Sequence, residues 1–149
     1  ASRGLGDVYK RQPVMMTLNA SKRDVCRVRR EVTSSPLQAF VLLNGPQFME
    51  ASRVMAAKLL EAHPDSPRSL VTEAFRSFTS RLPREKELKI LLALHEEQVA
   101  HYNANPEQAK GFLAIGASPE AKGLPPHKVA ATAILVNTIM NLDEAVSKR

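Results

Sequence analysis

The chain has 149 residues, a formal net charge of +6 and 44% hydrophobic residues, the size and composition of one globular domain. It contains no tryptophan and a single cysteine, Cys26, so an internal disulfide and a cysteine-rich zinc site are both excluded. No apolar run approaches the ~20 residues that a membrane-spanning helix needs. We therefore expect a core of aliphatic residues, methionine and a few phenylalanines.

The first twelve residues are interpreted as non-native. Asp7–Gln12 has the sequence of a peptide encoded by the end of a transposon that is used to prepare DNA libraries. We exclude residues 1–12 from the fold as one excludes an expression tag. Residues 13–149 are then expected to be the C-terminal part of one helical domain that is truncated at its N-terminus.

Prolines mark the starts of the first predicted helices, where the missing N–H of proline costs nothing. The segment Pro13–Val32 shows no period and is predicted to be an extended lead-in. Ser35 is the candidate cap of a helix from Pro36 to Leu43, and a second helix runs from Pro46 to Ala62.

Four more helices are predicted after the turn at residues 63–67. They are a third helix whose apolar stripe runs from Leu70 to Phe78, a fourth from Arg84 to Tyr102, a fifth capped by Asn105 and ended by Gly116, and a last from His127 to Met140. The last helix is apolar nearly all round, which predicts a central place in the core. No alternating strand pattern appears, so the fold class is all-α with about six helices.

Four separated stretches of the sequence form a recognisable pattern when they are taken in order. They are Ser21–Cys26 running into Arg29-Arg30; Thr33–Ala51; Phe75-Arg76 with Arg81-Leu82-Pro83 and Glu87-Leu88; and Asn141–Glu144. Together they cover roughly residues 14–146 and carry no known chemical role. They resemble a planctomycete-specific domain of unknown function (number fifteen fifty-three).

The resemblance implies a larger exported bacterial protein, often one with a cytochrome c-like haem domain upstream. It therefore implies a periplasmic or secreted location, with the upstream domains of the same parent protein as partners, and a redox or polysaccharide-processing context. With one cysteine this chain cannot form the Cys-x-x-Cys-His attachment of a c-type haem. No cofactor is expected in this fragment, and any haem is expected in the missing upstream part.

Two positions depart from the family pattern, and each replaces an aspartate. Asn19 stands in Leu18-Asn19-Ala20 where the family commonly has Phe-Asp-Ala, and Gly45 stands in Asn44-Gly45-Pro46 where it has Asn-Asp-Pro. A ligand or base role of either aspartate in relatives would be lost here.

The histidines do not form a metalloprotease motif. His95 and His101 are six residues apart, whereas a zinc helix needs two histidines at i and i+4 on one face. We expect structural roles, with His95 partly buried and His101 near a helix end. Cys26 lies among basic residues that would favour a reactive thiolate, but an inert packed cysteine is the preferred interpretation.

The basic segment that contains Arg29 and Arg30 has two interpretations. It could bind phosphate or anionic sugars, because the arginine fork matches oxyanions. It could instead pair with carboxylates such as Glu31, Glu50, Asp143 and Glu144, and this is preferred because no aromatics are interleaved. Asp143 or Glu144 would then anchor Arg29-Arg30 at the end of the last helix, beside Asn141.

The sequence contains no complete active site and predicts a non-catalytic helical module. One alternative is a domain that contributes Arg29, Arg30 and Asp143 to the cleft of an envelope enzyme acting on sulfated or complex carbohydrates. The other is an anion- or nucleic-acid-binding domain with a contiguous basic face. Nucleic acid is disfavoured because the chain without residues 1–12 is only mildly basic.

Overall fold

The computed structural model of the protein describes residues 14–15, 17–19, 35–119, 121 and 123–146. These residues contain seven helices and no strand, which confirms the all-α prediction. The helices are α1 (Pro36–Asn44), α2 (Pro46–Ala62), α3 (Pro67–Thr79), α4 (Glu85–Ala104), α5 (Pro106–Leu113), α6 (Pro126–Met140) and α7 (Asp143–Val146). None of the described helices is long and apolar enough to cross a membrane.

The chain divides into two compact units, residues 1–44 and 45–149. In the first, Ser35 caps α1 as predicted, because its hydroxyl accepts the N–H of Gln38 at 3.3 Å. The side-chain oxygen of Gln38 accepts the N–H of Ser35 at 2.9 Å, and the side-chain nitrogen of Gln38 donates to the carbonyl of Thr17. This reciprocal pair is a capping box. The segment Pro13–Val32 was predicted to be extended, but its described residues, 14–15 and 17–19, form a helical turn. In this turn the Leu18 N–H donates to the Val14 carbonyl.

The second unit is built around α6. This helix packs against α2, α3, α4, α5 and α7, and nine of its 15 residues are buried. Its alanines, Ala130, Ala131 and Ala133, have no exposed surface, so α2 and α4 can approach its backbone closely. Leu135, Val136 and Ile139 fill the core with Leu70 and Phe75 of α3. The prediction that the last long helix is central to the core is confirmed.

Several helix boundaries and one cap differ from the sequence prediction: α1 ends at Asn44 instead of Leu43, and α4 runs from Glu85 to Ala104 instead of from Arg84 to Tyr102. Helix α5 ends at Leu113 instead of Gly116, and α6 begins at Pro126 instead of His127. Asn105 does not cap α5 with its side chain, because its amide donates to the carbonyl of His101 at 2.9 Å and so ends α4. Prolines therefore begin five of the seven described helices.

Candidate functional site

The strongest concentration of charge in the second unit is the Arg81 cluster, formed by Arg81, Glu87 and Glu144. Arg81 donates from Nε and Nη2 to the two carboxylate oxygens of Glu144, both at 2.7 Å. It donates from Nη1 and Nη2 to the two oxygens of Glu87, at 2.9 and 2.8 Å. One planar guanidinium thus holds two carboxylates by paired hydrogen bonds, the strongest geometry for such a contact.

Local structure holds Arg81 in place between α3 and α4. Ser80 ends α3 in the left-handed region at φ 59°, which turns the chain. The guanidinium lies over the ring of Phe75, with 4.8 Å from Cζ to the centroid, and Nη1 also donates to the carbonyl of Leu82. Glu87 accepts the N–H of Arg84 at 2.7 Å and so also secures the start of α4.

The hydrogen bonds of the cluster favour its charged forms. Hydrogen bonds from Arg81, and then from the Arg84 N–H, lower the pKa of Glu87 to about 2. The hydrogen bond from Arg81 likewise lowers the pKa of Glu144, and the two carboxylates raise the pKa of Arg81. All three groups are therefore ionised at neutral pH.

A groove of about 750 Å³ lies beside the cluster and is called the Arg81 groove. Its lining combines apolar residues of α3, of α4 and of the turn before α7 with charged residues around the starts of α4 and α7; they are Phe75, Arg81, Arg84, Glu87, Ile90, Leu91, Leu142, Asp143 and Glu144. Two stretches of the sequence resemblance, one around Arg81-Leu82-Pro83 and the other Asn141–Glu144, therefore meet in space at this groove.

The structure places three of the predicted site residues. Glu144 bonds Arg81, and Asp143 is exposed at the groove. The amide of Asn141 donates to the carbonyl and the side-chain oxygen of Asn137, both at 2.8 Å, and so ends α6. Cys26, Arg29 and Arg30 lie outside the described residues, and so does the predicted anchoring of Arg29-Arg30.

A second charged site is called the loop clamp: Glu50, Arg53 and the loop at residues 116–119. From the sequence, Glu50 was named only as a possible partner of Arg29-Arg30, and both Arg53 and the loop were missed as parts of such a site. Arg53 is 3% exposed, and it donates from Nη2 to the carbonyl of Ser118 at 2.7 Å and from Nη1 to that of Pro119 at 3.1 Å. Glu50 accepts the N–H of Ser118 at 2.7 Å and also its hydroxyl. These hydrogen bonds, the Ser118 hydroxyl first, lower the pKa of Glu50.

The loop clamp had one signal in the sequence. Arg53 falls on the same helical stripe as Ala56 and Leu60, both of which are buried. A charged residue on a buried stripe must find partners, because an unpaired buried charge is very costly. The partners themselves could not be found from sequence, since they are carbonyls 65 and 66 residues away.

His95 and His101 point to different surroundings, as their spacing of six residues predicts. His95 is buried, with Nε2 hydrogen-bonded to the hydroxyl of Thr132 at 3.1 Å. His101 is exposed near the end of α4, with Nε2 bonded to Gln108 at 3.0 Å. In the described part of the chain, no group of three or more His, Cys, Asp or Glu could hold a metal ion.

The helices and the site define an all-α domain in which the most strongly bonded charged groups hold its own loops and helix ends together. Residues 7–95 match the family described as PSD1, a protein of unknown function (DUF1553), so the chain belongs to that family. No curated protein and no solved structure matches the chain. The matched range begins inside the stretch interpreted as non-native and contains Arg81 and Glu87, while α6 and Glu144 lie beyond it.

Proposed function

We propose that this chain is a non-catalytic helical module, the C-terminal part of a larger exported bacterial protein in which it packs against upstream domains. The observation that carries the proposal is that its most strongly bonded charged groups are used internally. Arg81 is held by two carboxylates, Arg53 by two carbonyls, and Glu50 by a loop. A catalytic acid or base must instead be free to exchange protons with a substrate.

The exported, haem-associated context rests on the resemblance and is tested at the gene. We would recover and sequence the genomic DNA upstream of the codon for Pro13. The proposal expects the reading frame to continue into a Cys-x-x-Cys-His domain and a signal peptide. A natural gene that encodes residues 1–12 and starts there would overturn it.

Packing against the upstream domains is tested with the parent protein that this sequencing yields. The upstream region and residues 13–149 would be expressed separately and titrated against each other by calorimetry. The proposal expects saturable binding. The Arg81 groove supplies the surface to perturb, because Ile90 is 67% exposed there and its replacement by lysine leaves the core intact. Ile90→Lys should weaken binding, and Lys89→Ala is the control beside it.

An alternative with one observation in its favour is a contribution to an envelope enzyme of polysaccharide processing. Asp143 is exposed at the Arg81 groove, as a residue of a cleft would be. If this alternative holds, Asp143→Asn in the parent protein should abolish turnover of a sulfated polysaccharide while the helical circular-dichroism spectrum is kept. Equal turnover by the variant and the wild type would exclude Asp143 from catalysis.

The anion- or nucleic-acid-binding alternative has less support. Without residues 1–12 the net charge is +4, and three of these four charges lie in residues 13–34, so they are not spread over the helices of the second unit. Binding to DNA that falls steeply with salt would be its signature. We expect no such binding.

A further inference from the structure

A second cavity, of about 330 Å³, opens between the end of α2, the start of α3, α4 and the start of α6. It is called the His95 pocket. Its walls are mostly apolar, with Leu60 and Leu70 buried at its base and Val99, Pro64 and Pro67 around them. This volume is at the lower end of the range of small-molecule sites, and the lining has their usual character.

One buried polar group faces this apolar lining. His95 is 7% exposed and lines the pocket. Its Nε2 is bonded to Thr132, and among the described residues His95 makes no other hydrogen bond. Nδ1 of His95 therefore has no hydrogen-bond partner among these residues. In the described residues, Arg53 Nε is the only side-chain nitrogen that is both fully buried and without a partner. Nδ1 of His95 is therefore not fully buried and keeps some accessible surface.

The state of His95 defines the group that a ligand must offer. Burial lowers the pKa of His95, so the ring is neutral at pH 7. A neutral imidazole has one donor and one acceptor nitrogen, and the tautomer decides which of them is Nδ1. A hydroxyl both donates and accepts, so it can bond Nδ1 in either tautomer.

We propose that the His95 pocket binds a small aromatic alcohol of the phenol class. The ring lies against Leu60, Leu70 and Val99, and the hydroxyl bonds Nδ1 of His95. Lys128 and Glu96 line the pocket with opposite charges and are both exposed, so they give no preference for an ionised ligand. This site is independent of the docking role and of the Arg81 groove.

The test uses the full chain and two probes that differ by one hydroxyl, p-cresol and toluene. Binding is followed by the amide shifts of Val99 and by the imidazole nitrogens of His95 in NMR titrations. One hydrogen bond to a neutral group is expected to make p-cresol bind about 3- to 10-fold more tightly than toluene. Only p-cresol should shift Nδ1.

Two exposed alanines on α4 supply a matched pair of variants. Ala100 lines the His95 pocket, whereas Ala93 lies two turns earlier on the same side of the helix and outside the pocket. Ala100→Phe should weaken p-cresol binding at least tenfold, and Ala93→Phe should leave it unchanged. His95→Phe keeps an aromatic ring and should remove the preference for p-cresol over toluene.

Three outcomes would overturn the proposal. They are the absence of saturable p-cresol binding up to its solubility limit, equal affinity of the wild type for the two probes, and p-cresol binding that Ala100→Phe does not weaken. If His95→Phe does not fold, two measurements still test the proposal. They are the relative affinity of the wild type for p-cresol and toluene, and the p-cresol affinities of Ala100→Phe and Ala93→Phe.

Discussion

At the residue scale, Arg81 shows why an arginine is needed where two carboxylates meet. Its Nε and Nη2 face Glu144, and its Nη1 and Nη2 face Glu87, so the planar fork is used on two sides. A lysine has one compact ammonium and cannot reproduce two paired contacts. Arg81→Lys is therefore not a conservative change here.

The first prediction concerns the coupling between Arg81 and Glu87. A double-mutant cycle with Arg81→Ala and Glu87→Ala, followed by urea unfolding, should give a clear coupling energy because the contact is bidentate and half-buried. The control is Arg68 with Glu85, which share one 2.9 Å contact and are 63% and 84% exposed. Its coupling should be close to zero. Equal coupling in the two cycles would contradict a structural role of the Arg81 cluster.

The second prediction concerns pH. Because Arg81 lowers the pKa of Glu87 to about 2 from 4.5, the unfolded chain binds more protons between these values. The stability that ionised Glu87 contributes is complete above pH 4.5 and is lost as the pH falls toward 2. Melting temperatures from pH 2 to 6 should therefore fall less steeply for Glu87→Gln than for the wild type. Glu85→Gln should follow the wild type.

At the element scale, the positions where helices begin and loops are fixed decide how the second unit is assembled. In this unit α2, α3, α5 and α6 each begin at a proline, so the starts of these helices can be predicted from the sequence. The path between α5 and α6 is instead fixed by the loop clamp, through side chains of α2. Gly116 is part of this arrangement, because its φ of +104° and its approach to Glu50 both require glycine.

The third prediction is a glycine series that separates these two requirements. Gly116→Ala adds a Cβ 2.7–2.8 Å from side-chain carbons of Glu50 and also strains the backbone. Gly123→Ala adds strain alone, because φ is +86° and nothing lies within 4 Å, and it should cost about 1 kcal/mol. Gly116→Ala should cost more, about 2–3 kcal/mol. Gly111→Ala, inside α5 with open space around it, should stabilise by about 0.5–1 kcal/mol. Urea unfolding gives all three values, and a smaller loss for Gly116 than for Gly123 would contradict the close approach.

The fourth prediction concerns the start of α2. Gly45 is the N-cap residue in an extended conformation, φ −65° and ψ 128°, and it gives no side-chain hydrogen bond. Gly45→Asp, which restores the aspartate of the resembled pattern, should accept the N–H of Gln47 or Phe48 and stabilise by about 0.5 kcal/mol. Gly45→Ala should destabilise. If Asp and Ala have the same effect on thermal unfolding, the position is not a cap.

At the scale of the whole molecule, the core of the unit from Gly45 onward depends on α6. Every other helix of this unit contacts it. Burial around α6 is complete at Leu135, Val136 and Ile139, which have no exposed surface. Each of the other helices of the unit therefore depends on α6 for part of its buried contacts.

The fifth prediction tests this dependence on α6. Leu135→Ala should cost about 3 kcal/mol, because a fully buried leucine is replaced and a cavity remains. Leu82→Ala is the control, since Leu82 is 64% exposed and its loss should change stability by no more than about 0.5 kcal/mol. Urea midpoints compare the two directly. Similar losses would mean that α6 is not the centre of the core.

The fold could be predicted from the sequence further than the site could. Prolines and helical periodicity are local signals, so α2 was predicted with its observed bounds and α6 as the buried helix. The prediction that Asn105 caps α5 was wrong because this asparagine lies both after α4 and before α5. Its side chain bonds the His101 carbonyl at the end of α4. The partner of Glu144 is Arg81, 63 residues away, and no local pattern carries that information.

The late position of α6 in the chain has a consequence for biosynthesis. The ribosome completes α2, α3, α4 and α5 before it reaches Pro126, so those helices emerge without the partner against which their apolar faces pack. Domains commonly fold while the chain is still being made, but here the core cannot close until residue 140 is available. Nascent chains of this domain should therefore depend on chaperones longer than chains whose central helix comes first, and a premature stop before α6 should yield a product that proteases remove.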